Sequence, residues 1–130
     1  MVTAEDIAGI EVFAMLDAGE QERLARVSAD VSLVPGEYAA NEGDDRALFA
    51  VLDGRIEVVK LVDGSERVVG ERLPGDVIGE VPIVLGTVFP VGFRAAVPSR
   101  VMRIEPHDYH AVCAVDPVVA KAIGALASHR

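Results

Sequence analysis

The sequence has little with which to staple itself covalently or to attract polyanions. Its 130 residues contain one cysteine, Cys113, so no intrachain disulfide can form. That thiol sits in an apolar helical context and reads as a small buried residue in a reducing, cytoplasmic compartment. Twelve Lys and Arg stand against 21 Asp and Glu, a net charge of −9. The deficit of positive charge argues against nucleic acid or an anionic membrane surface as partner, since both require a basic face. A small anion stays admissible, because exposed charges are screened beyond about 8 Å at physiological salt. No basic region precedes Glu5, Asp6 and Glu11, so these residues are not expected to be a secretory signal. The uncharged run Val81–Phe93 is 13 residues long and contains Pro82, Gly86, Pro90 and Gly92, too short and too broken to span a bilayer. There is no C-x-x-C, no G-x-G-x-x-G, no His-x-His and no locally supported Ser/His/Asp or Cys/His set. His107, Asp108 and His110 read as a solvated helix rather than a metal site. The chain itself is therefore expected to be non-catalytic, free of cofactor and free of metal.

What is present suits one domain with a real core: 51% hydrophobic and 25% charged residues. Residues 3–16 open with Thr3 as a helix cap and repeat Ile7, Ile10, Phe13 and Leu16 at helical spacing, interrupted by Gly9. Asp17 caps a second helix running to about Ser28, with Leu24 and Val27 inward. From Asp30 the rhythm changes. Turn signals fall near residues 35, 43, 53, 63 and 75, a spacing of about ten, with Asp63-Gly64 the clearest hairpin. Strands are expected at Val31–Leu33, from Tyr38, at Ala47–Leu52, Arg55–Val62, Ser65–Glu71, Ala95–Val97 and Val101–Ile104. Pro106 and Asp116-Pro117 then start two helices, the second with an apolar stripe of Val119, Ile123 and Leu126. The predicted organisation is a helical N-terminus over 1–29, a β-sandwich or jelly roll over 30–105 and two C-terminal helices over 106–130, the last continuing into a longer chain.

The stretch from Glu71 to Ala96 organises the rest. It offers a tight turn, Pro74-Gly75-Asp76, then Gly79-Glu80, then the uncharged run closing on Arg94 and the small Ala95 and Ala96. An acid and an arginine bracketing an apolar segment suit a pocket for a ligand carrying a hydroxyl and an anion.

The pieces Pro35-Gly36-Glu37, Asn41-Glu42-Gly43-Asp44, Leu52-Asp53-Gly54, Leu73-Pro74-Gly75-Asp76-Val77-Ile78-Gly79-Glu80 and Arg94-Ala95-Ala96, in that order, resemble the cyclic nucleotide-binding domain family over nearly the whole chain. The resemblance implies an eight-stranded antiparallel jelly roll, mainly β, with N-terminal helices and two C-terminal helices. It implies a phosphate-binding cassette in which Glu80 accepts a hydrogen bond from the ribose 2′-hydroxyl, Arg94 pairs with the cyclic phosphate, Gly79 admits the backbone, and Val81 and Ala95 complete the site. Ala95 and Ala96 stand where guanine-selective relatives carry a hydroxyl, which favours cAMP over cGMP. The wording Gly79-Glu80-Val81-Pro82-Ile83 with Phe89-Pro90-Val91-Gly92-Phe93-Arg94-Ala95 is similar to the N-terminal domain fused to bacterial thioredoxin-disulfide-reductase-like flavoproteins. That likeness implies a regulatory module signalling through its C-terminal helices to such an output domain.

Three features depart from the family pattern. Pro82 stands where a backbone N–H would bind phosphate, a loss on the order of 1–3 kcal/mol. The Glu80–Arg94 segment is longer than usual, with residues 86–92 in the extra room, so that Phe89 or Phe93 either bulges away or fills the pocket. Phe93 also replaces a common proline. These departures support a competing expectation: a fold that has lost its ligand and serves as a protein-interaction or homodimerisation domain through the Ile123/Leu126 stripe.

Overall fold

Local capping fixes where the helices begin. The Thr3 hydroxyl accepts from the Asp6 amide while the Asp6 carboxylate accepts from the Thr3 amide, a reciprocal capping box for α1 (Ala4–Ala8). The single helix expected over 3–16 is two short ones, α1 and α2 (Glu11–Ala14), because Ile10 between them is extended. Gly9 supplies the weak point, and the break lets Ile7, Ile10 and Phe13 all bury against the core. The Asp17 carboxylate accepts from the Glu20 amide and starts α3 (Ala18–Val27).

Eight antiparallel strands follow in the computed structural model, which describes residues 1–129. They are β1 (Ala29–Leu33), β2 (Tyr38–Ala40), β3 (Leu48–Asp53), β4 (Ile56–Val62), β5 (Ser65–Arg72), β6 (Val77–Ile78), β7 (Gly92–Ala95) and β8 (Ser99–Ile104). A short helix, α4 (Glu80–Leu85), lies between β6 and β7, and α5 (Pro106–Val115) and α6 (Pro117–Ser128) close the chain. The expected C-terminal span includes Arg130, which lies outside the described residues. The strands form two four-stranded sheets, ordered β1-β8-β3-β6 and β2-β7-β4-β5. This is the eight-stranded jelly roll with flanking helices. The strand expected at Ala95–Val97 begins earlier, at Gly92. Among the described residues, no helix is long and apolar enough to cross a membrane.

The first sheet is covered on both faces, which explains why β3 reads as an unbroken apolar run rather than an alternation. Leu48 and Ala50 face the helices with Met102, Ile104, Tyr109, Val119 and Ile123. Ala47, Phe49 and Val51 face the second sheet with Ile56, Val58, Phe93 and Ala95. Tyr109 and the α6 stripe are therefore core. Val119 and Ile123 are fully buried, and Leu126 packs on the same cluster, so the face expected to dock a partner already covers the sheet.

One ionic tie holds the N-terminal helices to this sheet. Arg100 on β8 lies diagonal to Asp30 on β1, and its guanidinium donates to both Asp30 oxygens (2.9 and 2.8 Å) and to Asp6 of α1 at 3.1 Å. The Arg100 hydrogen bonds hold the Asp30 carboxyl down to about 2, against an ordinary 3.8. A depressed carboxyl stabilises the fold above its unfolded pKa and loses that contribution as pH falls through its folded one. Between pH 5 and pH 2 the wild-type unfolding free energy should therefore fall by on the order of 2 kcal/mol more than that of Asp30→Asn in urea titrations. Equal falls in the two proteins would show the tie to be inert.

Candidate functional site

The site begins at a residue that only glycine can occupy. Gly79, directly after β6, has φ +94°, and a Cβ there would run into the Ala47 carbonyl oxygen and the Phe89 ring. This left-handed residue turns the chain from β6 into α4 and delivers Glu80 at the first helical position. Glu80 is 3% exposed. Pro82 falls in the same first turn, where backbone amides have no partner inside the helix, so its missing N–H leaves the helix intact. Gly86, also left-handed, ends α4 and donates to the Pro82 carbonyl at 2.8 Å. A helix here was not expected from the sequence, where the same residues read as part of one uncharged run.

The long segment after α4 is tied down rather than loose. Phe89 donates to the Asp44 carbonyl (2.9 Å) and accepts from the Gly43 amide (2.8 Å), pinning the segment to the loop before β3. The Phe89 ring is buried between Phe49 (6.2 Å) and Phe93 (5.8 Å, edge to face). Phe89 and Phe93 thus form the inner wall of the site.

Between α4, the second sheet and the end of α6 lies a cavity of about 380 Å³, within the range for small-molecule sites. Gly79, Glu80, Val81 and Pro82 form one side, Val58, Val69, Gly70 and Arg72 the other. Phe89, Val91 and Phe93 lie at the base, and Ala127 of α6 contributes from above. Glu80 and Arg72 are the charged residues among those lining it, and the Arg72 guanidinium lies over the Phe93 ring, 5.8 Å from its centroid. No hydroxyl or amide side chain lines it among the described residues.

Of the site residues expected from sequence, Gly79, Glu80 and Val81 meet at this cavity. Arg94 and Ala95 do not. Side chains along a strand alternate faces, and Phe93 points inward, so Arg94 points out. On the outer face Arg94 donates to Glu66 at 2.8 Å and to Glu57 at 3.4 Å, and it lies over the Tyr38 ring. Burial works against the Arg94 charge, but Tyr38, Glu57 and Glu66 outweigh it and leave the guanidinium pKa raised. Ala95 is buried in the inter-sheet core. Arg72, which the sequence did not single out, faces the cavity instead. Its signal was the pairing of β5 with β4, which sets Arg72 opposite the inward Ile56. Cys113 is half-buried beside Tyr109, with its thiol pKa pushed up by burial. His107 is largely exposed, with Nε2 3.4 Å from Asp108.

Residues 30–116 match the family model described as cyclic nucleotide-binding domain. The chain is 38% identical over 81 residues to patatin-like phospholipase domain-containing protein 7 of Rattus norvegicus, a match spanning 55% of this chain but 6% of that protein. Among solved structures it is similar to the regulatory subunit of a cAMP-independent protein kinase A from Trypanosoma brucei, in a mutant form bound to cAMP in the A site. That match has a TM-score of 0.84 and 21% identity, and covers 94% of this chain and 44% of that one. It is also similar to the sensor domain of the transcriptional regulator DNR from Pseudomonas aeruginosa, with TM-score 0.84 and 21% identity over 97% of this chain and 86% of that one. At these identities the likeness to the solved structures speaks to the fold alone.

Gly79 offers a direct test of how the cassette is built. Gly79→Ala should lower the unfolding free energy by about 2–4 kcal/mol, because it combines a left-handed penalty with a backbone clash. A loss below about 0.5 kcal/mol in chemical denaturation would contradict the described turn.

Proposed function

This chain belongs to the cyclic nucleotide-binding domain family, and on that footing we propose that it is a regulatory module binding a cyclic nucleotide, cAMP in preference to cGMP. The observation that carries the proposal is Glu80. A carboxylate 3% exposed, delivered by a left-handed glycine to the wall of a 380 Å³ cavity, is an acceptor placed for a hydroxyl donor. A ribose 2′-hydroxyl is that donor. Gly79 and Val81 flank it as the other cassette contacts. The base lies against Val58, Val69, Phe89 and Val91, and this apolar lining favours adenine, since it offers nothing polar to guanine's extra groups. Arg94 and Ala95 are not carried forward as ligand contacts, because neither lines the cavity.

Occupancy is passed on through α6. This helix packs on α4, and its last turn contributes Ala127 to the cavity, so a ligand would touch the cassette and the helix at once. A ligand that binds better to one arrangement of α4 and α6 shifts the population toward it by its difference in affinity. The output domain we propose is a thioredoxin-disulfide-reductase-like flavoenzyme in a longer chain, on the strength of the residues 79–83 and 89–95. No catalytic role is proposed for the module itself.

Thermal unfolding and calorimetry with cAMP and cGMP test the reading. At 100 times its Kd, cAMP should add about 2.7 kcal/mol of stability, a rise in Tm on the order of 10 °C. Glu80→Gln, which keeps the shape and removes the charge, should weaken cAMP about 10- to 100-fold. A wild-type protein unmoved by millimolar cAMP would refute the proposal.

A further inference from the structure

We propose that Arg72, at the end of β5, is the cation that pairs with the anionic group of the ligand in this cavity. This inference rests on the cyclic-nucleotide reading above and assigns the phosphate to a strand that the sequence motif does not point to.

The pairing of three strands decides which arginine can serve. One row across the second sheet reads Ala95–Ile56–Arg72 and another Phe93–Val58–Gly70. Ile56, Ala95, Val58 and Phe93 all belong to the inter-sheet core, so both rows face inward. The row between them, Arg94–Glu57–Glu71, faces outward. Arg94 is thus separated from the cavity by the sheet, and two carboxylates already meet its charge. Arg72 lies on the cavity face and lines the cavity together with Glu80.

Its surroundings suit an anion-pairing role. Gly70, one inward position along β5, has no side chain to block the approach, and the Phe93 ring supports the guanidinium from β7. Nη1 donates to the Glu71 carbonyl at 3.0 Å, which anchors one edge of the planar group. A guanidinium presents five donors in a fixed fork, matching two phosphate oxygens. The cassette needs such a donor from elsewhere. Pro82 carries no N–H, and the inward position on β7 is a phenylalanine. An acceptor in Glu80 and a fork in Arg72 then define a ligand with a hydroxyl near an anion, which a cyclic ribose phosphate has and a nucleoside lacks.

Calorimetry of the chain with cAMP and with adenosine, for wild type, Arg72→Ala, Arg72→Lys and Arg94→Ala, separates the outcomes. Wild type should prefer cAMP over adenosine. Arg72→Ala should lose about 10- to 100-fold in cAMP affinity with adenosine unchanged, so that the preference disappears. Arg72→Lys should fall between, keeping charge without the fork, and Arg94→Ala should match wild type. If Arg94→Ala abolishes the preference while Arg72→Ala keeps it, or if Arg72→Ala weakens cAMP and adenosine alike, the assignment is wrong while the nucleotide site stands. If wild type binds adenosine as tightly as cAMP, Arg72 pairs with no phosphate. If wild type binds neither, the cavity reading fails and the assignment falls with it.

Discussion

In a pleated sheet, parity decides the face of every side chain, and a one-residue offset moves a charge from a cavity to solvent. On β7 that constraint sets Phe93 inward and Arg94 outward, because Phe93 and Ala95 complete the core between the sheets. The rest of the site follows. With an aromatic ring at the inward position, Phe89 stacks edge to face on it and pins the long segment after α4. With Arg94 outside, Glu57 and Glu66 gather round it as a surface cluster. With Gly70 and Arg72 inward on β5, the cavity acquires its positive charge from the opposite wall.

The two cores divide the work of the fold. One binds helices α1–α3, α5 and α6 to the outer face of the first sheet, and the other fills the jelly roll. The cavity opens where the second core meets α4 and the end of α6, so its walls belong to elements from different layers. That placement brings the short cassette helix α4 and the last turn of α6 to the same cavity. On α6, Val119 and Ile123 are fixed in the first core, while Pro117, Val118, Ala120 and Ala125 remain exposed.

Much of the fold was legible in the sequence because jelly-roll turns carry local chemistry. Gly36, Gly43, Gly54, Gly64 and Gly75 all adopt positive φ, and they set the spacing of about ten residues that announces short strands. Proline at the first helical position marked α5 and α6 correctly. The site was legible only in part. Gly79-Glu80 is a local signal, since the glycine's conformation and the adjacent carboxylate act together. Arg94 was matched by its neighbours Ala95 and Ala96 in the string, but letters carry no parity, and Phe93 supplies the inward side chain. Arg72 had no motif at all, because its role depends on the β4–β5 register, which includes a bulge near Val58. Helix α4 was hidden for a different reason: at six residues, with Pro82 in its first turn, it is too short to show a helical period.

The most direct measurement is a map of amide resonances in a two-dimensional nitrogen–proton spectrum as cAMP is added. Gly70, Arg72, Gly79, Glu80, Val81 and Ala127 should move together with one saturation curve, while Tyr38, Glu57 and Glu66 on the outer face stay in place. Movement centred on the outer cluster around Arg94, or no movement at all, would contradict the proposed site.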